Sequence, residues 1–160
     1  MILFLDFDGV LHPVVRSKDA FCRLPLLAAW LQEWPGVDVV VSSSWRALVP
    51  QRELVDLLGL VVGQRVVGCT PDLPRPTLRR FCLAEREQEI GMWLEISWEP
   101  QRPWVALDDW ALLFFPDSPR LVLCDDLEGI TPAVLDQLTM HARRAGMTHV
   151  PASAGRKEAR

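Results

Sequence analysis

The chain has 160 residues, of which 49% are hydrophobic and 24% are charged, and its formal net charge is -4. This length and composition are typical of one globular domain with a substantial core, and they exclude an intrinsically disordered chain. The negative charge argues against a bulk electrostatic affinity for nucleic acid, although a local basic patch is compatible with it. We expect a single domain over residues 1–150 and a polar tail over residues 151–160.

The cysteines and the N-terminus indicate the compartment that we expect. The four cysteines are scattered without a C-x-x-C pair, which is typical of reduced thiols in a cytosolic protein. No apolar run approaches the roughly 18 residues of a membrane span, and no basic region precedes the first apolar run as in a signal peptide. We therefore expect a cytoplasmic protein with no membrane partner and no obligate protein partner.

The first predicted strand ends in acidic residues. Residues 1–5 form an apolar run that the turn residues Asp8 and Gly9 close, which predicts a strand buried on both faces. If the extended conformation continues, Asp6 and Asp8 lie on the same side of the chain, where two carboxylates need a proton or cation between them. The alternative is a plain Asp-Gly turn.

Strands and helices alternate along the rest of the chain. Apolar periodicity and capping residues predict helices over residues 24–34, 45–58, 83–96 and 131–144, and further strands over residues 37–41, 60–67, 104–107 and 120–124. Buried strands that alternate with amphipathic helices imply right-handed crossovers and a parallel sheet. The expected fold class is therefore α/β.

Polar side chains follow three of these strands where each strand ends. Asp6 and Asp8 follow the first, the triplet Ser42-Ser43-Ser44 follows the second, and Asp108-Asp109 follows the fourth. Because ligands of parallel sheets bind beyond the carboxyl ends of the strands, we expect all three groups at one edge of the sheet.

An acidic cluster at this edge needs a counter-charge. Carboxylates, backbone carbonyls and water suit a hard divalent cation, and Mg²⁺ fits best because it takes few protein ligands and keeps its waters. We expect Asp6, the backbone carbonyl of Asp8 and Asp108 to bind it. Asp109 either binds directly or steadies the other ligands.

A phosphoryl group suits the donors near this cation. Ser42 and Ser43 are both candidates to bind it, whereas Ser44 fits the N-cap of the following helix best. Arg86, near the start of a crossover helix, is the better candidate for the neutralising cation. The alternatives are Arg79-Arg80 in that role, or an Arg86 that only forms a solvated ion pair with Glu87 or Glu89.

The order of these motifs resembles the haloacid dehalogenase (HAD) superfamily of phosphohydrolases. The segments DFDGV, the serines after VDVVV, an arginine at a helix start and ALDD occur in that order over residues 1–145. The fuller pattern of DFDGVLHP, SSSWR, CTPDL, ER-x-x-EI-x-x-WL, WVALDD and LEGIT resembles the branch found in Swiss Army Knife RNA repair proteins. The resemblance implies a three-layer Rossmann-like fold with strand order 3-2-1-4-5. One departure is that the third motif is usually Lys, where this chain has Arg86.

The resemblance also implies a phosphatase mechanism. Asp6 attacks phosphorus to give an aspartyl-phosphate, and Asp8 protonates the leaving oxygen before it activates water. Mg²⁺ and Arg86 keep Asp6 ionised and offset charge in the transition state.

The short connections between the motifs indicate an open site. Neither the segment after the first strand nor the one after the third is long enough for a separate cap domain, which is typical of members that act on bulky substrates. We expect a phosphorylated nucleic acid end, nucleotide or small metabolite, with His12, Trp45 and Arg46 at the rim. Trp45 could stack on a base and Arg46 hold a phosphate. The alternative, which we favour, is that Trp45 packs against the helix.

Other functions fit the sequence less well. A non-catalytic HAD-like module remains a second hypothesis, as does a receiver-like domain, but receivers carry their acceptor Asp at the end of the third strand, where this chain has Cys69-Thr70. An EF-hand is excluded because the twelve residues counted from Asp6 end at Ser17 and not at Glu.

Overall fold

A five-stranded parallel sheet forms the centre of the molecule. The computed structural model describes residues 1–15, 20–73 and 83–151. The sheet order is β3-β2-β1-β4-β5, and every neighbouring pair is parallel. The strands are β1 (Ile2–Leu5), β2 (Asp38–Val41), β3 (Val66–Cys69), β4 (Trp104–Asp108) and β5 (Leu121–Leu123). The predicted fold class and strand order are confirmed.

Helices cover both faces of this sheet. They are α1 (Leu24–Glu33), α2 (Gln51–Leu57), α3 (Gly59–Gly63), α4 (Glu85–Ile96) and α5 (Pro132–Arg144), and two 3-10 turns lie at Ser44–Ala47 and Ala111–Leu113. Leu3 and Leu5 of β1 pack in one core with α1, α2, α3 and α5, whereas Ile2 and Phe4 pack in a second core with α4. This division follows from the period-two alternation of side chains in a strand.

The segment between β2 and β3 differs from the sequence prediction. The predicted helix over residues 45–58 is divided at Pro50 into a 3-10 turn and α2, and the first residues of the predicted strand 60–67 form α3. Val62 is fully buried in the core that contains α1. The composition of this short apolar, β-branched run predicts a strand. Long-range packing instead stabilises a helical turn that begins at Gly59, whose φ is +66°.

The remaining elements lie close to their predicted positions. Thr131 caps α5 as predicted, with its Oγ1 accepting a hydrogen bond from the backbone N–H of Val134 at 3.4 Å. In the described parts of the chain, the connections of the sheet contain no additional folded domain. The described helices include none that is both long and apolar enough to cross a membrane. The predicted tail lies outside the described residues apart from Pro151.

Candidate active site

The carboxyl ends of β1, β2 and β4 lie side by side at one edge of the sheet. Leu5 pairs with Val41 on one side and with Leu107 on the other. The ladder continues one residue further, because the N–H of Asp6 donates to the carbonyl of Leu107 at 3.1 Å and that of Ser42 donates to the carbonyl of Leu5 at 2.9 Å. This register brings the acidic ends of β1 and β4 next to the serines after β2.

Three carboxylates converge at this edge. Asp6, Asp108 and Asp109 each offer an oxygen atom, and these atoms all lie within 4.8 Å of one another. Asp6 is only 7% exposed and Asp108 is fully buried. Burial and then repulsion from Asp6 raise the pKa of Asp108 to about 7, although Arg86 acts against the shift. Burial and the charge of Asp6 likewise raise the pKa of Asp109.

Arg86 provides a positive charge in contact with this cluster. Its Nη1 lies 2.8 Å from Oδ2 of Asp108 and 3.3 Å from Oδ2 of Asp6. Burial opposes the charge on Arg86, but the carboxylates of Asp6 and Asp108 outweigh it and raise the pKa of Arg86. The alternative candidates, Arg79 and Arg80, lie outside the described residues.

The donor set of this cluster fits a hard divalent cation. Three carboxylates carry more negative charge than the single guanidinium of Arg86 neutralises, and oxygen ligands are those that Mg²⁺ prefers. Burial is the main cause of the raised pKa of Asp108, and repulsion from the Asp6 carboxylate adds to it.

Gly9 allows Asp109 to approach the turn after β1. Gly9 has φ of +64°, and a Cβ atom at this position would overlap the carboxylate of Asp109. Glycine is therefore required both by the backbone conformation and by the close approach of the acidic side chain. Sequence reasoning identified Gly9 only as a turn residue.

The serines after β2 are buried beside the acidic cluster. Ser42 is 1% exposed and Ser43 is fully buried. Ser43, and not Ser44 as predicted, caps the 3-10 turn, because its side chain accepts a hydrogen bond from the backbone N–H of Trp45 at 3.4 Å. The turn begins at Ser44, so the N-cap position falls one residue earlier than the sequence indicated.

Arg46 connects the serine segment to α4. Its Nη1 donates to the carbonyls of Ser42 and Ser43, each at 2.9 Å, and its Nη2 lies 2.6 Å from Oε1 of Glu89. Nη2 also lies 3.0 Å from Oδ1 of Asp72. The side chain of Arg46 is only 9% exposed, so its guanidinium is buried in these contacts.

Glu89 is a site residue that sequence reasoning considered only as an ion-pair partner at the surface. It is 5% exposed and lies between two arginines, with Oε1 on Arg46 and Oε2 3.8 Å from Nε of Arg86. Burial raises the pKa of Glu89 even though both arginines act against the shift. The spacing of three residues between Arg86 and Glu89 on one helix was the available signal.

Asp8 is oriented by two side chains. Its Oδ2 accepts a hydrogen bond from Nε1 of Trp45 at 2.8 Å, and its Oδ1 lies 3.0 Å from Nε2 of His12. The side chain of Asp8 remains 48% exposed. Trp45 and His12, which sequence reasoning assigned to the rim, therefore both contact Asp8.

A cleft of about 230 Å³ opens next to Arg86. Trp110 lines it with an indole that is 58% exposed, and the backbone N–H of Trp110 donates to Oδ1 of Asp108 at 2.9 Å. The other lining residues are Ser44, Arg46, Ala47, Asp72, Leu73, Glu85, Glu89 and Leu113. Arg86 also lines this cleft, and its guanidinium contacts the carboxylates of Asp6 and Asp108.

Comparison with protein families agrees with this geometry. The model of the HAD domain in Swiss Army Knife RNA repair proteins matches residues 2–135, which is more than half of the chain. The chain belongs to this family. Searches of curated proteins and of solved structures found no significant match.

Membership of the HAD family assigns the chain to a group of phosphatase-type hydrolases. The matched region contains every candidate site residue of the HAD domain named above, from Asp6 in the first motif to Asp109 in the last. The acidic cluster therefore lies within the part of the chain that defines the family.

Proposed function

We propose that this HAD domain is a Mg²⁺-dependent phosphoric monoester hydrolase that forms an aspartyl-phosphate on Asp6. The observation that carries the proposal is the position of Asp6 at the end of the central strand. The Asp6 carboxylate contacts Arg86 and forms a cluster with the carboxylates of Asp108 and Asp109. Asp8, two residues further along, is half exposed and can reach a substrate.

The carboxylates of Asp6, Asp108 and Asp109 and the backbone carbonyl of Asp8 are the groups that we assign to Mg²⁺. When bound, Mg²⁺ supplies positive charge that offsets the charges of the phosphoryl oxygens and of the attacking carboxylate.

Asp6 and Asp8 carry the two half-reactions. In the first, a carboxylate oxygen of Asp6 bonds to phosphorus while the bond to the leaving oxygen breaks, and Asp8 gives that oxygen its proton. In the second, Asp8 takes a proton from water as the water oxygen bonds to phosphorus and the bond from Asp6 breaks. Inorganic phosphate leaves and both aspartates return to their starting states.

Arg86 and the serines bind the phosphoryl group in this proposal. Arg86 is buried against Asp6, so its guanidinium can keep the nucleophile ionised and offset charge on the phosphoryl oxygens. Ser42 and Ser43 lie at the end of the neighbouring strand, and we assign their hydroxyl groups to phosphate binding. The contacts of Arg46 hold this serine segment in place.

The substrate that we propose is a bulky phosphate, namely a phosphorylated nucleic acid end or a nucleotide, with a small metabolite phosphate as the alternative. The described connections contain no separate cap domain, and Trp110, which lines the cleft, donates its backbone N–H to Asp108. A screen of 3′- and 5′-phosphorylated oligonucleotides, nucleotides and sugar phosphates would distinguish these classes by their kcat/KM values.

Turnover of p-nitrophenyl phosphate in the presence of Mg²⁺ tests the chemistry. We expect the wild-type chain to release p-nitrophenol and the Asp6→Asn variant to lose at least about 10³-fold in kcat, since it lacks the nucleophile. Asp56→Asn, which changes an exposed aspartate on α2, is the matched control and should retain full activity.

Mg²⁺ with beryllium fluoride should form an adduct on Asp6 that mass spectrometry or fluorine NMR detects. Full activity of the Asp6→Asn variant, or an adduct on another residue, would contradict the assignment of the nucleophile.

A further inference from the structure

The carboxyl group of Asp8 is held by two side chains that come from separate parts of the chain. Trp45 lies in the 3-10 turn after β2, and its Nε1 is 2.8 Å from Oδ2 of Asp8. His12 lies in the turn region after β1, and its Nε2 is 3.0 Å from Oδ1. Each oxygen of the carboxyl group therefore has its own partner.

These two contacts determine the plane of the carboxyl group. An indole N–H can only donate a hydrogen bond, so Oδ2 accepts from Trp45 whether Asp8 is protonated or ionised. A carboxylate has about four acceptor sites. Trp45 occupies one on Oδ2, and the tautomer of His12 that carries a proton on Nε2 occupies one on Oδ1. The side chain of Asp8 is 48% exposed, so a leaving oxygen or a water molecule can approach its remaining sites.

Aromatic packing keeps both partners in position. The indole of Trp45 makes edge contacts with Phe7 and Phe21, at centroid distances of 5.7 and 5.6 Å. His12 contacts Phe21 at 5.3 Å and Trp45 at 6.3 Å. Phe7 is fully buried in the core behind β1. Rotation of either ring away from Asp8 would disrupt this packing.

We propose that Trp45 and His12 are positioning residues for the general acid Asp8. This inference rests on the proposed phosphatase function. General acid catalysis contributes about 10²–10⁴-fold, and this gain depends on a donor held within hydrogen-bond reach of the leaving oxygen. Trp45 and His12 hold Asp8 in this orientation, so they control how well the enzyme cleaves substrates whose leaving groups need a proton.

The measurement that separates this role from a structural one is the dependence of kcat/KM on the leaving group. This constant reports the first half-reaction, in which a p-nitrophenolate leaves without protonation and an alkoxide needs it. We expect Trp45→Phe to lower kcat/KM for an alkyl phosphate such as glycerol phosphate by about tenfold, and that for p-nitrophenyl phosphate by less than about twofold. The phenyl ring keeps an aromatic side chain at this position and cannot donate a hydrogen bond to Asp8.

Three further variants complete the experiment. Asp8→Ala should show the same preference for the aryl substrate, but more strongly. His12→Phe should resemble Trp45→Phe because it also removes one partner of Asp8. Trp30→Phe is the matched control, since Nε1 of Trp30 donates to Oγ1 of Thr139 at 2.9 Å on another part of the molecule. Trp30→Phe should leave kcat/KM unchanged for both the alkyl and the aryl substrate.

The indole N–H resonance of Trp45 in a nitrogen-15 NMR spectrum provides a readout that needs no turnover. Asp8→Ala should shift this resonance and leave that of Trp30 in place, because only Trp45 donates to Asp8. The same spectra show whether each variant is folded.

The outcomes distinguish the two proposals. Wild-type protein that hydrolyses neither substrate would overturn the phosphatase function and the positioning role with it. Active wild-type protein combined with equal losses on both substrates in Trp45→Phe would overturn only the positioning role. If Trp45→Phe lowered kcat/KM only for substrates that carry a nucleobase, Trp45 would be assigned to base stacking, and the positioning role would be overturned.

Discussion

At the scale of single residues, the turn after β1 is built around the contact between Gly9 and Asp109. The backbone of Gly9 has a positive φ, and the Asp109 carboxylate occupies the space where a Cβ atom would lie. This arrangement lets an acid after β4 approach the chain immediately after Asp8. The conformational freedom of one glycine therefore positions a candidate metal ligand.

Gly9→Ala should be markedly more destabilising than Gly146→Ala. Both glycines have positive φ, +64° and +70°. Among the described residues, however, no atom outside the chain neighbours of Gly146 lies within 4 Å of a Cβ atom placed there. Backbone strain alone should cost about 1 kcal/mol at Gly146, whereas overlap with Asp109 should bring the cost at Gly9 to at least about 2 kcal/mol. Urea denaturation measures both values.

Because Asp109 is displaced in Gly9→Ala, added Mg²⁺ should stabilise this variant less than it stabilises the wild-type protein. Gly146→Ala should gain the same stabilisation from Mg²⁺ as the wild-type protein. Equal stability losses and equal responses to Mg²⁺ in the two variants would show that the contact with Asp109 has no energetic role.

At the scale of secondary-structure elements, an ion pair joins the serine segment after β2 to α4. Arg46 binds two carbonyls of that segment and the carboxylate of Glu89, and Glu89 in turn lies beside Arg86. These side chains are less than one tenth exposed. The segment that we assign to phosphate binding and the helix that carries Arg86 are therefore held as one unit.

Arg46→Met should destabilise the protein and disturb phosphate binding. The change removes the donor from the carbonyls of Ser42 and Ser43 and one cationic partner from the buried carboxylate of Glu89. Breaking such a buried pair costs about 3 kcal/mol. KM for p-nitrophenyl phosphate should rise because the serine segment loses its connection to α4. Denaturation curves and steady-state kinetics measure the two effects.

The matched control is Arg102→Met. Arg102 also joins two acidic side chains, Asp38 and Glu99, but it contacts Asp38 at the start of β2 and its side chain is 26% exposed. This variant should lose no more than about 1 kcal/mol and should keep the wild-type KM. A change of KM in Arg102→Met as large as that in Arg46→Met would contradict a local role for Arg46.

At the scale of the whole molecule, the acidic edge of the sheet makes folding stability depend on pH. Burial raises the pKa of Asp108 from its ordinary value of 3.8 to about 7. Between these two values the folded protein retains a proton that the unfolded chain has released. Stability therefore falls as pH rises through this window, and this contribution is fully lost above about pH 7. The raised pKa values of Asp109 and Glu89 act in the same direction.

Metal-free protein should show a larger decrease in unfolding free energy between pH 5 and pH 7.5 than the Asp108→Asn variant does. The variant isolates Asp108, because the opposite contribution of His141, whose pKa is lowered by burial, is common to both proteins. Denaturation at the two pH values in the presence of a chelator measures the difference. Identical pH dependence in the two proteins would show that Asp108 is ionised in the metal-free fold.

Excess Mg²⁺ should stabilise the wild-type protein more at pH 7.5 than at pH 5. In the proposed site the cation would bind the ionised carboxylates, and protons would compete with it at low pH. Thermal denaturation with Mg²⁺ and with chelator measures this effect at each pH. A larger stabilisation at pH 5 would exclude the carboxylate cluster as the Mg²⁺ site.

The amino-acid sequence by itself determined the fold class, the order of motifs and the acids at the strand ends. Apolar strand periodicity and helix capping are local patterns, and parallel connectivity follows from their alternation. This is why the placement of Asp6 beside Asp108 could be expected from residues far apart in the chain. The end of the predicted strand 60–67 lies in β3, but residues 60–63 were assigned wrongly, because the burial of Val62 against α1 decides their conformation and local composition does not contain that contact.

Only the tertiary structure decided what each polar side chain contacts. Trp45 donates to Asp8 across 37 residues of sequence, and Arg46 reaches Glu89 across 43. Hydrogen bonds have ranges of about 3 Å, so such partners depend on the exact positions of β2, α4 and the turns between them. The sequence determines which acids and donors the site contains, whereas packing determines that Arg46 binds the serine segment and that Trp45 and His12 orient Asp8.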